Sequence, residues 1–426
     1  MIWLEGGCKW RRPQATNRAL NYRPTGSSTE AETRLEETFV YGGVRGRKSE
    51  RTLRFFLGAG ALEAFHARQM NLQEFRHSES FDALGQRVGL DYPQCLAGSY
   101  KCSASTTLPA RPQTWVYELG RLRDAPGWTM PHATQPGVTY HPGGMWAEVR
   151  HVNGVTDVQA QDGSRRLRPG SLSTVRGSQV LWKPGLFSYD VAGNILSIGP
   201  SEDGGTDLFA YDGTSRLRES RFFVQQRNPL DTDLLVDSFE TGDTSKWNRT
   251  QHWETSTLLG YIFDEHGNLL KEQRNSVDFR THTTNGATNR LTSGTYDAAG
   301  NLTLFDNVTT TFDALNRVVK RQAAAGTPLY FLYTADDERT VTYDPNGESV
   351  WLRFTLRDFD GKRIRKVNET SSPTPVAGEN TVLRGDQPLA KVGWADCLSG
   401  IHLSRDHLGS VQTSTNGSGV GGPPRV

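Results

Sequence analysis

One short phrase returns along this 426-residue chain: aromatic, Asp, two spacers, Gly or a polar substitute, Asn or Arg, then an aliphatic residue. It reads YDVAGNI from Tyr189 to Ile195, FDEHGNL from Phe263 to Leu269 and YDAAGNL from Tyr296 to Leu302. Weaker copies are FDALGQRV from Phe81, YDGTSRL from Tyr211 and FDALNRV from Phe312. A recurring phrase specifies a recurring structural unit, which constrains the fold before any site is considered.

Each residue type in the phrase has a physical task. Asp at the first corner of a type I turn accepts hydrogen bonds from the backbone N–H groups just ahead of it. Gly three positions later takes the positive φ that closes the turn. The flanking aromatic and aliphatic residues suit a pleated, half-buried surface. The phrase therefore predicts strand, tight turn of about three to five residues, strand. The predicted corners are Phe81, Asp82 and Gly85; Tyr189, Asp190 and Gly193; Tyr211 and Asp212; Phe263, Asp264 and Gly267; Tyr296, Asp297 and Gly300; and Phe312 and Asp313.

The intervals between copies are unequal, which a strict solenoid does not allow. They fit a long β-meander whose hairpins lengthen and shorten while the sheet continues. Thr309 to Phe312 and Asn316 to Gln322 alternate apolar and polar residues, as one-sided strands do. The predicted fold class is mainly β: a long antiparallel hairpin meander curling into a spiral shell or open barrel, and an incomplete one. Composition agrees. Hydrophobic residues make up only 35%, as expected of strands with one polar face, and 44 glycines supply turns. The net charge of +1 gives no reason to expect a nucleic-acid partner.

The repeats resemble the YD repeats of the Rhs family, shared with teneurins and bacterial polymorphic toxins. Thr139 to Asp157 resembles a strand pair between repeats. YTADDERTV from Tyr333 and LRDFDGKRIR from Leu356 resemble the run into the Rhs-associated core. HLSRDHLGSVQTSTNGSG, His402 to Gly419, is similar to that core's signature, carried by Asp406, His407, Leu408, Gly409 and Ser410. The resemblance spans residues 72–419. It implies a hollow β-shell that encloses a polypeptide, in toxin members their own C-terminal effector. The family's later core, with its self-cleavage segment, is not recognisable before Val426. Asp344–Pro345–Asn346–Gly347 reads as another repeat turn. Both ends look cut, as in a fragment of a longer exported protein.

The segments expected are 1–71 irregular with a short helix at 59–74, 72–227 repeat sheet, 228–256 an acidic, Trp-bearing insertion, 257–400 repeat sheet, 401–419 the start of the core, and 420–426 a Gly/Pro tail. In the insertion, Asp237, Glu240 and Asp243 offer hard oxygen ligands and Trp247 an apolar face for a sugar. Their spacing matches no EF-hand, so a surface loop is the expectation and no metal is assigned. Cys95 and Cys102 could close a small disulfide in an exported protein, with free thiols as the alternative.

Catalytic signals are weak. His402, Ser404 and Asp406 would share one strand face but stand about 7 Å apart at each step, beyond hydrogen-bond reach. No GxSxG, GxxxxGK[ST] or HExxH occurs. No apolar run approaches the roughly 20 residues of a membrane span. The expectation is a non-enzymatic shell segment without cofactor, secreted or at the cell surface, whose partner is its own or a downstream polypeptide cargo. The alternative is an extracellular adhesion module for glycans or cell-wall polymers.

Overall fold

The computed structural model describes residues 15–22, 33–42, 46–56, 74–95, 112–131, 135–164, 166–201, 205–225, 253–344, 352–369, 378–384, 387–393, 400–405, 410–416 and 418–420. Among these the regular elements are strands, and neighbouring strands run antiparallel in chain order. The chain is a long hairpin meander of the mainly β class. It divides into two compact units: residues 1–137 with 295–402, and residues 138–294 with 403–426. The sequence reading placed these boundaries elsewhere, treating 257–400 as one sheet region and 401–419 as a separate start.

The second unit holds an 11-stranded sheet from Val138–Tyr140 to Val277–Thr281, ordered linearly so that it does not close on itself. Its hairpins use two kinds of turn. At one kind, Tyr189 pairs with Ile195 across the five-residue corner Asp190–Asn194, with a register shift at the aromatic. At the other, Arg274 pairs with Val277 across Asn275 and Ser276, whose φ values are 49° and 65°. Two successive positive φ values define the type I′ turn, whose twist matches the flanking strands.

The first unit is a sandwich. A six-stranded sheet runs in chain order from Ala15–Tyr22 to Gln113–Thr114. A longer run proceeds in chain order from Thr295–Tyr296 to Gln387–Gly393. It includes a second type I′ turn at Asp306 and Asn307, φ 49° and 59°. Leu35, Leu53, Phe55 and Phe75 of the six-stranded sheet pack on Leu332, Val341, Tyr343, Phe354 and Leu356 of the other. Phe354 sits at the centre, its ring 5.0 Å from Phe55 and 5.1 Å from Phe75. Tilted and edge-on aromatic contacts of this kind add to what their buried area contributes.

The first 71 residues, expected to be irregular, contain the strands Ala15–Tyr22, Thr33–Val40 and Glu50–Phe56. Their pattern was hidden because the inward positions Leu35, Glu37 and Phe39, and Arg51, Leu53 and Phe55, mix charged with apolar residues. The helix expected at 59–74 falls almost entirely outside the described residues, and Glu74 begins the strand Glu74–Phe81.

Candidate functional site: a ladder of stacked turns

Each predicted corner folds the same way. Asp190 N–H donates to Asn194 O at 3.0 Å, and Gly193 N–H donates to Asp190 O at 3.2 Å. Asn194 N–H donates to Asp190 Oδ1 and its side-chain amide to Oδ2, both at 2.8 Å. The carboxylate thus takes both donors of the residue four positions on. Asp82, Asp212, Asp264, Asp297 and Asp313 accept the N–H of Gln86, Arg216, Asn268, Asn301 and Arg317 in the same way, at 2.8 to 3.0 Å. The fourth residue always has positive φ: Gly85, Gly193, Gly267 and Gly300, but also Ser215 and Asn316.

These hydrogen bonds stabilise the ionised carboxylates. The Asn194 side chain and then backbone N–H groups hold Asp190 below the usual carboxylate range, and Asn268 and Asn301 do the same for Asp264 and Asp297. Asp212 is held down chiefly by Arg216 N–H.

Corners beyond the six predicted ones fold alike, in the YTADDERTV stretch that continues the repeat spacing and in others that the phrase does not announce. Asp358 accepts Lys362 N–H at 2.7 Å, Thr334 Oγ1 accepts Glu338 N–H at 3.1 Å, and Asn416 Oδ1 accepts Val420 N–H at 3.0 Å. His141 and His151 open two more turns, closed by Gly144 and Gly154 with φ of 97° and 80°. The usable signal was a side-chain acceptor or His followed three residues later by Gly, Asn, Asp or Ser.

The turns are cross-linked into a ladder. In the second unit the fifth residue of one turn reaches the next: Asn194 Nδ2 donates to Ser215 Oγ at 3.0 Å, and Asn268 Nδ2 to Asn289 Oδ1 at 2.6 Å. Where that residue is arginine, its guanidinium covers the next aromatic: Arg216 lies 5.0 Å from the Phe263 ring centre. Arg168, which closes the longer corner opened by Asp162, lies 3.9 Å from that of Tyr189. The first unit repeats the arrangement with Asn301 to Asn316 at 2.8 Å and Arg317 over Tyr333 at 5.1 Å. A return bond runs the other way, from the phrase's tyrosine to the carbonyl just past the preceding corner. Tyr189 Oη donates to Pro169 O and Tyr333 Oη to Val318 O, each at 2.7 Å. Burial pushes the Tyr189 hydroxyl up to about 12, so it remains a donor at any physiological pH.

One buried polar set resembles catalytic machinery. His151 Nε2 lies 2.9 Å from Asp157 Oδ2, Thr174 Oγ1 donates to Asp157 Oδ1 at 2.8 Å, and the Ser404 hydroxyl also donates to Asp157. Burial opposes ionisation of Asp157, but His151 and these donors outweigh it and hold the carboxyl low. The acid stands between the histidine and the serine. In a hydrolase relay the histidine must stand between the other two. His151 and Ser404 are both buried. Beside this set, Asn153 Nδ2 donates to Thr415 Oγ1 at 2.9 Å and to Asn416 O at 2.8 Å, which ties the C-terminal hairpin to the 151–154 turn.

Of the other expected residues, Ser410 is described and exposed, whereas Asp406, His407, Leu408 and Gly409 lie outside the described residues. So do Asp237, Glu240, Asp243, Trp247 and Cys102, and the side chain of Cys95, which ends the strand Arg87–Cys95. Among the described residues no group of three or more His, Cys, Asp and Glu is arranged to hold a metal ion. Nor is any helix among them long and apolar enough to cross a membrane.

The sheets and their laddered corners define an antiparallel β-meander fold. No protein-family model matches the chain, and no curated protein matches it. Solved structures do. TcdB2-TccC3 without its hypervariable C-terminal region is 15% identical over 95% of this chain, with a TM-score of 0.66. The Photorhabdus luminescens Tc holotoxin pore carrying a mutated TccC3 is 14% identical over 91%, with a TM-score of 0.64. TcdB2-TccC3 itself gives 15% over 90%, with a TM-score of 0.64. At these identities the likeness is one of fold. The chain spans about a fifth of the length of these structures, 19% to 21%.

Proposed function

We propose that the chain is a non-catalytic wall segment of an Rhs-type β-shell that secludes a polypeptide from its surroundings. The observation that supports this best is the ladder: consecutive turns are tied to one another by their own repeat residues, which stiffens a sheet along its turn-bearing edge. The fold likeness to TcdB2-TccC3, solved with and without a hypervariable C-terminal region, and to a Tc holotoxin pore supports the same reading. So does one face of the second unit's sheet, where Phe209, Tyr211, Tyr261 and Phe263 remain half-buried and offer apolar contact to an unfolded chain. Such a wall would act by confinement, with no residue performing chemistry on the cargo. Export of the protein belongs to the same proposal. The adhesive alternative rests on residues 228–256, nearly all of them outside the described residues.

The test is proteinase K digestion of the full-length product of the reading frame. A polypeptide held inside stays intact while the wall is folded and is cut once the wall is melted. Cutting at the same rate in both conditions overturns the proposal.

A further inference from the structure

The sandwich of the first unit contains charges where an apolar core would suffice. Glu37, Arg51, His77 and Glu79 all point inward from the six-stranded sheet and are all buried. Two of them grip one turn of the facing sheet. Glu37 Oε2 accepts Ala335 N–H at 3.3 Å, while Arg51 bonds both Glu37 and, at 2.8 Å, Glu338. Glu79 grips the next turn with help from its neighbour Arg87. Glu79 Oε1 accepts Phe359 N–H at 3.3 Å, while Arg87 Nη1 donates to Glu79 at 3.3 Å and to Asp358 at 2.6 Å.

The two arrangements are equivalent. In each, an acid takes the N–H of the turn's second residue, Ala335 or Phe359. In each, an arginine joins that acid to a carboxylate of the same turn. His77 lies between them, its ring 4.9 Å from Phe359 and its Nε2 without a hydrogen-bond partner.

We infer that Glu37–Arg51 and Glu79–Arg87 are latches that seat the six-stranded sheet on successive turns of the ladder. Breaking either one lets that sheet lift while both sheets keep their own strands. The apolar contacts of Leu35, Leu53, Phe55 and Phe75 are non-directional and tolerate sliding. A buried ion pair does not, because removing one member strands the other without solvent. The latches therefore set register and make seating all-or-none. They address the residues of the turn itself, so the cover engages only a correctly folded ladder.

The test uses a single reporter thiol in a chain whose four cysteines are replaced by serine. Val341→Cys places it in the sandwich core, where Val341 is fully buried, and Val149→Cys provides a buried control in the other unit. Glu37→Gln, or Arg87→Met at the second latch, is expected to raise the labelling rate of the Val341 thiol by about a hundredfold. The control thiol and the far-ultraviolet circular dichroism should stay unchanged. Arg87→Lys keeps the charge but loses the fork, so its rise should be about tenfold, and it serves if either variant does not fold. Labelling of Val341→Cys that stays within about twofold would overturn the inference, because the apolar core alone would then be seating the sheet. A parallel rise at Val149→Cys would overturn it as well, since that is unfolding of the whole chain.

Discussion

Arg317 leaves its own turn to meet Asp337 at 3.2 Å, and Asp337 is the residue of the next turn that carries positive φ, 62°. The same guanidinium donates to Thr334 O at 3.2 Å and covers the ring of Tyr333. One side chain thus closes its own corner, through Asp313, and braces the following one.

Arg317→Ala should cost about 2 kcal/mol, since it removes a cation–π contact and charge-assisted hydrogen bonds from a mostly buried side chain. Asp337→Asn should cost less than about 0.5 kcal/mol, because that carboxylate is largely in water and Asn tolerates the positive φ. Urea unfolding curves measure both. Equal losses would mean the brace depends on the ion pair and not on the stacked guanidinium.

Glycines at positive φ should divide by what surrounds them. Gly193, φ 96°, has nothing within 4 Å of where a Cβ would lie, so Gly193→Ala should cost about 1 kcal/mol of conformational strain alone. Gly185, φ 108°, lies against the backbone of Gly199 and Pro200, and Gly185→Ala should cost about 3 kcal/mol. Ser215→Gly and Asn316→Gly, at φ of 62° and 60°, should be neutral or mildly stabilising. Melting temperatures of the four variants check the order.

Acid should weaken the corners. Asp190, Asp264 and Asp297 are held below their usual value of 3.8 by the hydrogen bonds they accept. A depressed carboxylate stabilises the fold fully above its unfolded value, and that contribution is lost as pH falls through the folded one. Replacing all three with Asn should lower the urea midpoint at pH 7 and flatten its decline toward pH 3 (roughly the start of carboxylate protonation). An acid limb as steep as that of the unmodified chain would assign the loss to other groups.

The latch region should show two opposed proton linkages. Burial, then Arg51 and Arg87, push His77 from 6.5 to about 3, so its contribution is present above pH 6.5 and lost as pH falls toward 3. Burial raises Glu79 from 4.5 to about 7 against the pull of Arg87, so it costs least when protonated and weakens the fold as pH rises through 7. Between pH 4.5 and 6.5 the two slopes cancel. In that window Glu79→Gln should lose stability on acidification by about 1.4 kcal/mol per pH unit, and His77→Leu should gain at the same slope. A His77→Leu variant with a flat profile would show that His77 is not the proton acceptor of the unfolded chain.

Legibility in the sequence followed chemistry that repeats locally. Tyr189, Asp190 and Gly193 announce their turn because all its hydrogen bonds lie within five residues. Asp358 and Thr334 perform the same task, but their corners, DFDGK and TADDE, diverge from the phrase while keeping its acceptor and its αL-tolerant fourth residue. The short corners Asn275–Ser276 and Asp306–Asn307 went unread because neither contains the glycine that usually marks a type I′ turn. Strands such as Thr33–Val40 were obscured because Glu37 is polar in sequence yet inward in the fold. Nothing local to Glu37 reveals a partner at Ala335. Asp157 likewise gave no sign that it would gather His151, Thr174 and Ser404.

The latches also fix an order of events during synthesis. Arg51 is separated from Glu338 by 287 positions and Arg87 from Asp358 by 271, so the six-stranded sheet leaves the ribosome long before the strands that cover it exist. Throughout that interval its future inner face is exposed. A face of Leu35, Leu53, Phe55 and Phe75 alone would invite other nascent chains to stick. Glu37, Arg51, His77 and Glu79, set among those residues, keep the waiting face wetted until its own turns arrive, and their charges then become the fastening.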